Sequence, residues 1–225
     1  MKNNRGNEYG LVRPVRRQRR PVHRFFNKEN AVRALEGWGR NRELFGFTKG
    51  QFSMVDLLEA ILERTGEADV VVSTWTAAAR DLQRCLHFLQ RDMARRMLWL
   101  VDISFERRVP EFALRLKVMF GEEAVRVVPS HCKFILVENA DWHVVVQTSM
   151  NLNYNPRLEN FWVCEDEVFY RAYRDLVEMI FAFQKPGVGF RRMPKAARAE
   201  FKFLGAGKEV EDLGLEVTFD DEPTG

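Results

Sequence analysis

The sequence predicts an α/β domain with a mixed, largely parallel sheet sandwiched by helices. Short valine-rich apolar runs, typical of buried strands, alternate along residues 48–185 with longer amphipathic segments typical of helices. Two further apolar runs are separated only by the polar stretch 138–141, which predicts an antiparallel hairpin and makes the sheet mixed. With 225 residues, of which 46% are hydrophobic, the chain is long enough to bury a sizeable core.

The first half of this domain is predicted to alternate between helices and strands. Ser53 is a residue type that caps helices, and the apolar side chains that follow it have helical spacing: Met54, Leu57, Leu58, Ile61 and Leu62. The pattern then predicts a strand at 69–74, a helix at 76–91, a strand at 97–101, a helix at 110–120 and a strand at 124–128. Pro110 in the first turn and Gly121 after the last turn delimit the third helix.

The second half contains the hairpin, one more strand and a long helix. The hairpin strands are predicted at 132–137 and 143–146, the next strand at 160–164, and the helix at 167–183, with Pro186 and Gly187 behind it. Residues 25–47 form a mixed lead-in segment with a short helix near 30–35. Residues 186–225 form a C-terminal extension that is first basic and then acidic.

The two ends of the chain carry opposite charges, although the net charge is only +3. Residues 1–24 hold eight Lys or Arg against one Glu, and residues 209–225 hold seven acidic residues with no Lys or Arg. We expect residues 1–24 to be a disordered basic arm that contacts nucleic-acid phosphates, chiefly through Arg13, Arg16, Arg17, Arg19 and Arg20. A solvated tail with no ligand is the alternative for this arm, and the acidic end either aids solubility or competes with nucleic acid.

The most informative residues surround the hairpin. His131 and Lys133 lie two positions apart at the start of the first hairpin strand, so we expect their side chains to project side by side from one face. Ser149 and Asn151 follow the second hairpin strand. A histidine that can attack or shuttle a proton, a cation and two neutral hydrogen-bonding groups suit a phosphodiester. The alternative for His131 is a structural histidine.

These residues resemble the phospholipase D superfamily, whose signature is H-x-K-x4-D, then G-S-x-N, then an E-N-x-x-V strand. The matching residues are His131, Lys133, Ser149, Asn151 and the segment 159–163, which begins with Glu159-Asn160. The resemblance covers about residues 48–184. Glu138 stands where the family has Asp, a position that is mainly structural there, and Thr148 stands where it often has Gly, a residue that permits positive φ.

The resemblance implies a metal-independent reaction that needs no cofactor. Similar enzymes use two copies of the motif in one site: one histidine forms a phosphohistidine and the other protonates the leaving oxygen. This chain has one copy, so a catalytic form would be a homodimer. Glu159 resembles the family residue that bonds the distal ring nitrogen of the histidine; an exposed strand-end charge is the alternative. No His, Cys or carboxylate group has metal-ligand spacing.

The sequence therefore predicts a homodimeric phosphodiesterase, specifically a nuclease acting on DNA or RNA, with DNA favoured. A non-catalytic nucleic-acid-binding protein on the same scaffold is the alternative. Nothing in the sequence resembles a membrane span or a secretory signal, so we expect a cytoplasmic protein without a membrane partner. Cys85, Cys132 and Cys164 are expected to be buried free thiols, with Cys132 turned away from the catalytic pair. Trp142 and Tyr154 are the preferred candidates for stacking on bases, ahead of Trp38 and Trp75.

Overall fold

A computed structural model describes residues 22–24, 31–108, 110–153 and 155–186. The strands are β1 (Val22–Arg24), β2 (Glu43–Thr48), β3 (Ala68–Thr74), β4 (Ala94–Asp102), β5 (Val125–Val128), β6 (Phe134–Glu138), β7 (His143–Thr148) and β8 (Glu159–Glu165). The helices are α1 (Ala31–Ala34), α2 (Met54–Thr65), α3 (Ala79–Gln90), α4 (Ile103–Arg108), α5 (Pro110–Phe120) and α6 (Glu167–Phe183). None of the described helices is both long and apolar enough to cross a membrane.

The described strands form one eight-stranded sheet in the order β1-β2-β8-β7-β6-β3-β4-β5. Strands β3, β4 and β5 pair in parallel, as do β1 and β2. The four pairings between them, from β2 through β8, β7 and β6 to β3, are antiparallel. The predicted mixed α/β sheet is confirmed, but parallel pairing is a smaller share of it than expected, because β2 joins the antiparallel half.

Helices cover both faces of the sheet, as the sequence predicts. Helices α2, α3 and α5 bury their apolar side chains against one face, together with the large rings of Trp99, Phe105 and Phe161. Helix α6 covers the other face with Tyr170, Val177 and Ile180. Burial of this apolar surface on both sides provides most of the stabilisation and makes the sheet a rigid support for the loops at its ends.

The start of α2 confirms Ser53 as its cap. Its hydroxyl accepts from the backbone N–H of Asp56 at 3.3 Å, and the Asp56 carboxylate accepts from the Ser53 N–H at 2.7 Å, which is a capping box. The guanidinium of Arg84 on α3 donates to Asp56 at 2.6 Å and also pairs with Glu59. Burial works to raise the pKa of Asp56, but the hydrogen bonds from Ser53 and Arg84 outweigh it and hold that pKa below its ordinary value of 3.8.

Several predicted elements are confirmed. The bounds of α5 and α6 agree with the predicted ranges 110–120 and 167–183, and β6 and β7 form the expected antiparallel hairpin. Helix α3 begins three residues later than predicted, because the stretch before it pairs with another segment: Ala77 bridges to Leu152, and the Ala78 N–H donates to the Leu152 carbonyl at 2.8 Å.

The region before residue 48 departs from the expectation. Residues 22–24, assigned to a disordered arm, form β1, and β2 lies within the segment described as a lead-in. Trp38 from that segment is buried in the main core. The folded domain therefore includes residues from the lead-in and the end of the arm. Residues 1–21, which contain Arg13, Arg16, Arg17, Arg19 and Arg20, lie outside the described residues, as does the C-terminal extension from residue 187 onward.

Candidate active site

The three motifs meet at one edge of the sheet. Strand β6 begins just after Lys133, β7 ends just before Ser149, and β8 begins at Glu159. Because these neighbouring strands are antiparallel, those three points lie side by side. Backbone hydrogen bonds join them: the Thr148 N–H donates to the Lys133 carbonyl at 3.1 Å, and the Ser149 N–H donates to the Asn160 carbonyl at 3.2 Å.

His131 and Lys133 precede β6 rather than lying on it, which corrects the expectation of two side chains projecting from a strand. The Lys133 ammonium instead turns back and donates to the carbonyl of His131 at 3.2 Å. The loop is held by the Ser73 hydroxyl, which donates to the Cys132 carbonyl at 2.8 Å, and by the Cys132 N–H, which donates to the Ser130 hydroxyl at 3.0 Å. These bonds fix the loop backbone beside the start of β6.

The ring of His131 is exposed and lies next to Trp75, which follows β3. The two ring centroids are 5.9 Å apart and the planes are inclined by 36°. Among the described residues, no side chain forms a hydrogen bond to the His131 ring. Its nitrogens are therefore accessible to a ligand, which a nucleophile or proton shuttle requires.

Ser149 and Glu159 contact each other directly. The Ser149 hydroxyl donates to Oε2 of Glu159, and Asn155 Nδ2 donates to Oε1 at 3.1 Å. The Asn160 N–H donates to the Ser149 oxygen at 2.9 Å. The resemblance implies that the distal ring N–H of His131 donates to Glu159, but this bond is not among the contacts of the described residues. In this structure Glu159 accepts from Ser149 instead.

Asn151 lies in the segment that leaves β7 for the connection between β3 and α3. The neighbouring Leu152 is fully buried, and its N–H donates to the Thr74 hydroxyl and the Thr76 carbonyl, each at 3.2 Å. The side-chain oxygen of Asn151 is buried and has no hydrogen-bond partner within the described part of the chain. A buried polar atom without a partner costs about 1–3 kcal/mol of folding stability.

Thr148, which stands where the phospholipase D superfamily often has glycine, causes no backbone strain. The described non-glycine residues with positive φ are Asn41 and Asp92, so position 148 does not need glycine. The Thr148 hydroxyl donates to the Asn160 carbonyl at 2.7 Å and accepts from the Met150 N–H at 3.0 Å. The threonine therefore adds contacts that hold the ends of β7 and β8 together.

Glu138 has a structural position, as expected for the family Asp. It lies at the far end of β6 from His131 and binds α6: Arg174 pairs with its carboxylate, and the buried Tyr170 hydroxyl donates to it at 3.2 Å. The ring of His143 lies 3.7 Å from the same carboxylate. Burial, together with the Glu138 charge, raises the pKa of Tyr170, so this phenol stays neutral.

A cleft of about 690 Å³ opens beside the motif edge, a volume within the usual range for ligand sites. It is lined by His131, Cys132, Lys133, Thr148 and Asn160 from that edge, and by Phe45, Phe134, Gln147, Phe161, Trp162 and Tyr173. Cys132 is exposed in this cleft, which corrects both the expected burial and the expected orientation, whereas Cys85 and Cys164 are buried as expected. Ser149, Asn151 and Glu159 are not part of the cleft lining.

The aromatic residue found beside His131 is not one of the two preferred candidates for stacking on bases. Trp142 precedes β7 at the opposite end from the motif edge, where it packs on Trp38 at 5.5 Å and lies under Arg40. Tyr154 lies outside the described residues. Trp75 is the tryptophan beside His131. Phe45 of the cleft is not among the predicted site residues; Phe45 and Phe47, two positions apart, give only a weak strand signal because Gly46 interrupts the apolar run. Among the described residues, no His, Cys, Asp and Glu side chains are grouped as a metal site.

No protein-family model matches the chain, and no curated protein matches it. Solved structures similar to it include polyphosphate kinase from Porphyromonas gingivalis, with a TM-score of 0.48 and 12% identity over 70% of this chain and 30% of that one. Phosphatidylserine synthase from Haemophilus influenzae Rd KW20 has a TM-score of 0.44 and 15% identity over 77% of this chain and 46% of that one.

A third similar structure is a phospholipase D family member, Nuc, from Salmonella typhimurium. Its TM-score is 0.42, with 11% identity over 62% of this chain and 93% of that one. The chain thus spans 30% and 46% of the first two proteins but most of the third. At these identities and TM-scores the similarities do not bear on activity. The mixed sheet and the ordered motifs of the chain itself make it an α/β domain that resembles the phospholipase D superfamily.

Proposed function

We propose that this protein is a metal-independent phosphodiesterase, and more specifically a homodimeric nuclease that cleaves DNA or RNA. The observation that carries the proposal is the meeting of the H-x-K, T-S-x-N and E-N segments at one sheet edge, where His131 and Lys133 line an open cleft. A histidine whose ring nitrogens bond no other described side chain and a cation beside it are the groups that a phosphodiester requires.

In the proposed reaction, a ring nitrogen of His131 attacks phosphorus and the bond to the leaving oxygen breaks. The leaving oxygen takes a proton from the second histidine of the site, and a phosphohistidine remains. Water then attacks the phosphorus, gives its proton to that second histidine and releases His131. Lys133 neutralises the equatorial oxygens. Asn151 is proposed to donate to them through its amide N–H, and Ser149 through its hydroxyl once that hydroxyl turns from Glu159 to the phosphate.

The second histidine is proposed to come from another copy of this chain. The sequence has a single H-x-K segment, and the mechanism needs two histidines on opposite sides of one phosphate. A two-fold axis beside the exposed His131 loop would bring both histidines and both lysines to the phosphate. Glu159 acts in this scheme through Ser149, whose side chain it holds at the motif edge until the phosphate binds.

The proposed ligand is nucleic acid because of the basic arm. Arg13, Arg16, Arg17, Arg19 and Arg20 provide a concentration of positive charge that matches a polyphosphate backbone. We favour DNA over RNA, and we place no membrane among the partners. We also propose that the protein acts in the cytoplasm, where nucleic acid is accessible.

A non-catalytic nucleic-acid-binding protein is the second candidate. It is favoured by one observation: the Glu159 carboxylate is bonded to Ser149 and Asn155 instead of to His131. Without a carboxylate on its distal nitrogen, a histidine lacks the group that commonly fixes its tautomer and orientation. The two candidates share the fold and the ligand and differ only in cleavage.

Cleavage in excess EDTA separates the two candidates. The wild-type protein is expected to nick plasmid or cut single-stranded DNA with EDTA present, and His131→Ala is expected to lower the rate by at least about 100-fold. The matched control is His87→Ala, since His87 is an exposed histidine on α3 whose described hydrogen bond is to Gln90. Cleavage that is absent from the wild type, or equal in His131→Ala and His87→Ala, would contradict the proposal.

A further inference from the structure

A row of side chains crosses the sheet next to the motif edge. Phe134 of β6 is paired with Gln147 of β7, Gln147 with Trp162 of β8, and Trp162 with Phe45 of β2. Directly paired residues have their side chains on the same face of a sheet. The row therefore places three aromatic rings and one amide on one face, over about 14 Å across three strand spacings.

This row forms one wall of the cleft that also contains His131 and Lys133. Phe134 is buried beneath, while Phe45, Gln147 and Trp162 are half-buried and each keeps part of its surface exposed. Tyr173 of α6 contributes a further ring to the same cleft. The aromatic surface of the cleft therefore lies next to the end that carries the His131 imidazole and the Lys133 ammonium.

The side chains of this row are held in place. The indole N–H of Trp162 donates to Glu43 at 2.9 Å, and its ring lies 5.1 Å from that of Phe169. The ring of Tyr173 meets that of Phe134 edge-on at 5.0 Å. Rings fixed in this way lose little conformational entropy when a ligand packs on them, which favours binding.

The row also has polar groups with remaining hydrogen-bonding capacity. The Gln147 amide donates to the Tyr173 hydroxyl. Within the described residues, the Gln147 side-chain oxygen and the hydroxyl hydrogen of Tyr173 bond to no other group. Burial raises the pKa of Tyr173, so its phenol keeps that hydrogen. The cleft therefore offers aromatic surface together with one acceptor and one donor.

We propose that this cleft binds one unpaired nucleobase, with its phosphate at the His131–Lys133 end, and that the protein accordingly acts on single-stranded nucleic acid. A base has a π-face that stacks on aromatic rings and an edge that Gln147 and Tyr173 can hydrogen-bond. A base within a duplex has neither surface free unless it is flipped out. The inference rests on the proposed function for the phosphate end only, since the base end depends on the aromatic row.

The test compares oligonucleotides that differ only in their bases. Full-length protein carrying His131→Ala, which prevents cleavage, is titrated with a fluorescent single-stranded DNA, an abasic strand of equal length and a duplex. The single strand is expected to bind more tightly than the abasic strand. Phe45→Ala should reduce that preference by about fivefold to about a hundredfold, the equivalent of losing one stacked base.

Two further variants keep the result interpretable if Phe45→Ala disturbs β2. Gln147→Leu preserves the volume of the side chain but removes its amide. It should weaken binding of the normal single strand without affecting binding of the abasic strand. Val168→Ala is the control, because Val168 is an exposed apolar residue of α6 and does not line the cleft. Circular dichroism establishes that each variant is folded.

Four results would overturn the inference. One is equal affinity of the unmutated cleft for normal and abasic strands, another is a preference that survives both Phe45→Ala and Gln147→Leu, and the third is tighter binding of the duplex. Binding of phosphatidylcholine vesicles that Phe45→Ala abolishes would assign the cleft to acyl chains and also overturn it. Because cleavage plays no part in these titrations, a failure of the nuclease proposal appears only in the EDTA assay and stays distinguishable.

Discussion

Replacing Glu138 with alanine is expected to destabilise the fold while leaving the site chemistry intact. Glu138 accepts from the Tyr170 hydroxyl at 3.2 Å and pairs with Arg174, so it attaches α6 to the end of β6. It lies four residues beyond Phe134, or about 14 Å along the strand, and further still from His131. The acidic residue of the H-x-K-x4-E segment should therefore act on stability alone.

The size of the effect follows from these two interactions. Tyr170 is 3% exposed, so the loss of its acceptor leaves a buried hydroxyl unsatisfied, at a cost of about 1–2 kcal/mol. The side chains of Arg174 and Glu138 are 36% and 25% exposed, and solvent screening limits their pairing to about 0.5–1 kcal/mol. The free energy of unfolding should fall by about 1.5–3 kcal/mol in total, which corresponds to a decrease in Tm of about 3–12 °C.

Thermal unfolding followed by circular dichroism measures this decrease, and Tyr170→Phe provides the matched background. In Tyr170→Phe no hydroxyl needs an acceptor, so Glu138→Ala should cost about 1 kcal/mol less there than in the wild type. The cleavage rate of folded Glu138→Ala should equal that of the wild type. A variant that is as stable as the wild type, or one that is folded yet inactive, would refute the structural role of Glu138.

Three further predictions concern the cap of α2, the arm and the assembly. Asp56→Asn should lower the free energy of unfolding by about 1 kcal/mol at neutral pH. Because the folded-state pKa of Asp56 is depressed, the stabilisation by its carboxylate is present above about pH 4 and is lost as the pH falls through that pKa. The free energies of unfolding of variant and wild type, measured by urea titration, should therefore converge in acid. Deletion of residues 1–21 should weaken binding to DNA of every sequence. The slope of log affinity against log salt concentration should fall in magnitude by about 0.9 for each phosphate that the arm no longer neutralises, and an unchanged slope would assign the arm to another ligand. Sedimentation should give a dimer, and mixed dimers of wild type and His131→Ala should be inactive; an active monomer would exclude the two-histidine scheme.

Local signals in the sequence determined the helices and the hairpin. Helix α5 begins at Pro110, which fixes φ at a first turn, and ends before Gly121, whose φ of +84° a residue with a Cβ rarely adopts. The Asp166 side chain accepts from the Phe169 N–H at 2.9 Å and so begins α6 at the predicted residue. These features depend on neighbouring residues alone, and a sequence pattern therefore contains them.

The tertiary structure decided which side chains meet. The sequence does not predict strand β2 because its short apolar run is interrupted by Gly46, and its pairing with β1 and β8 shows that it belongs to the sheet. The register then places Phe45 beside Trp162 and Gln147, residues more than a hundred positions away, as neighbours in one row. In the same way Glu159 meets Ser149 rather than His131, because the contact depends on how two strand ends align. The sequence by itself determined the local elements and the motifs, whereas the cleft and its partners required long-range pairing, which no local pattern specifies.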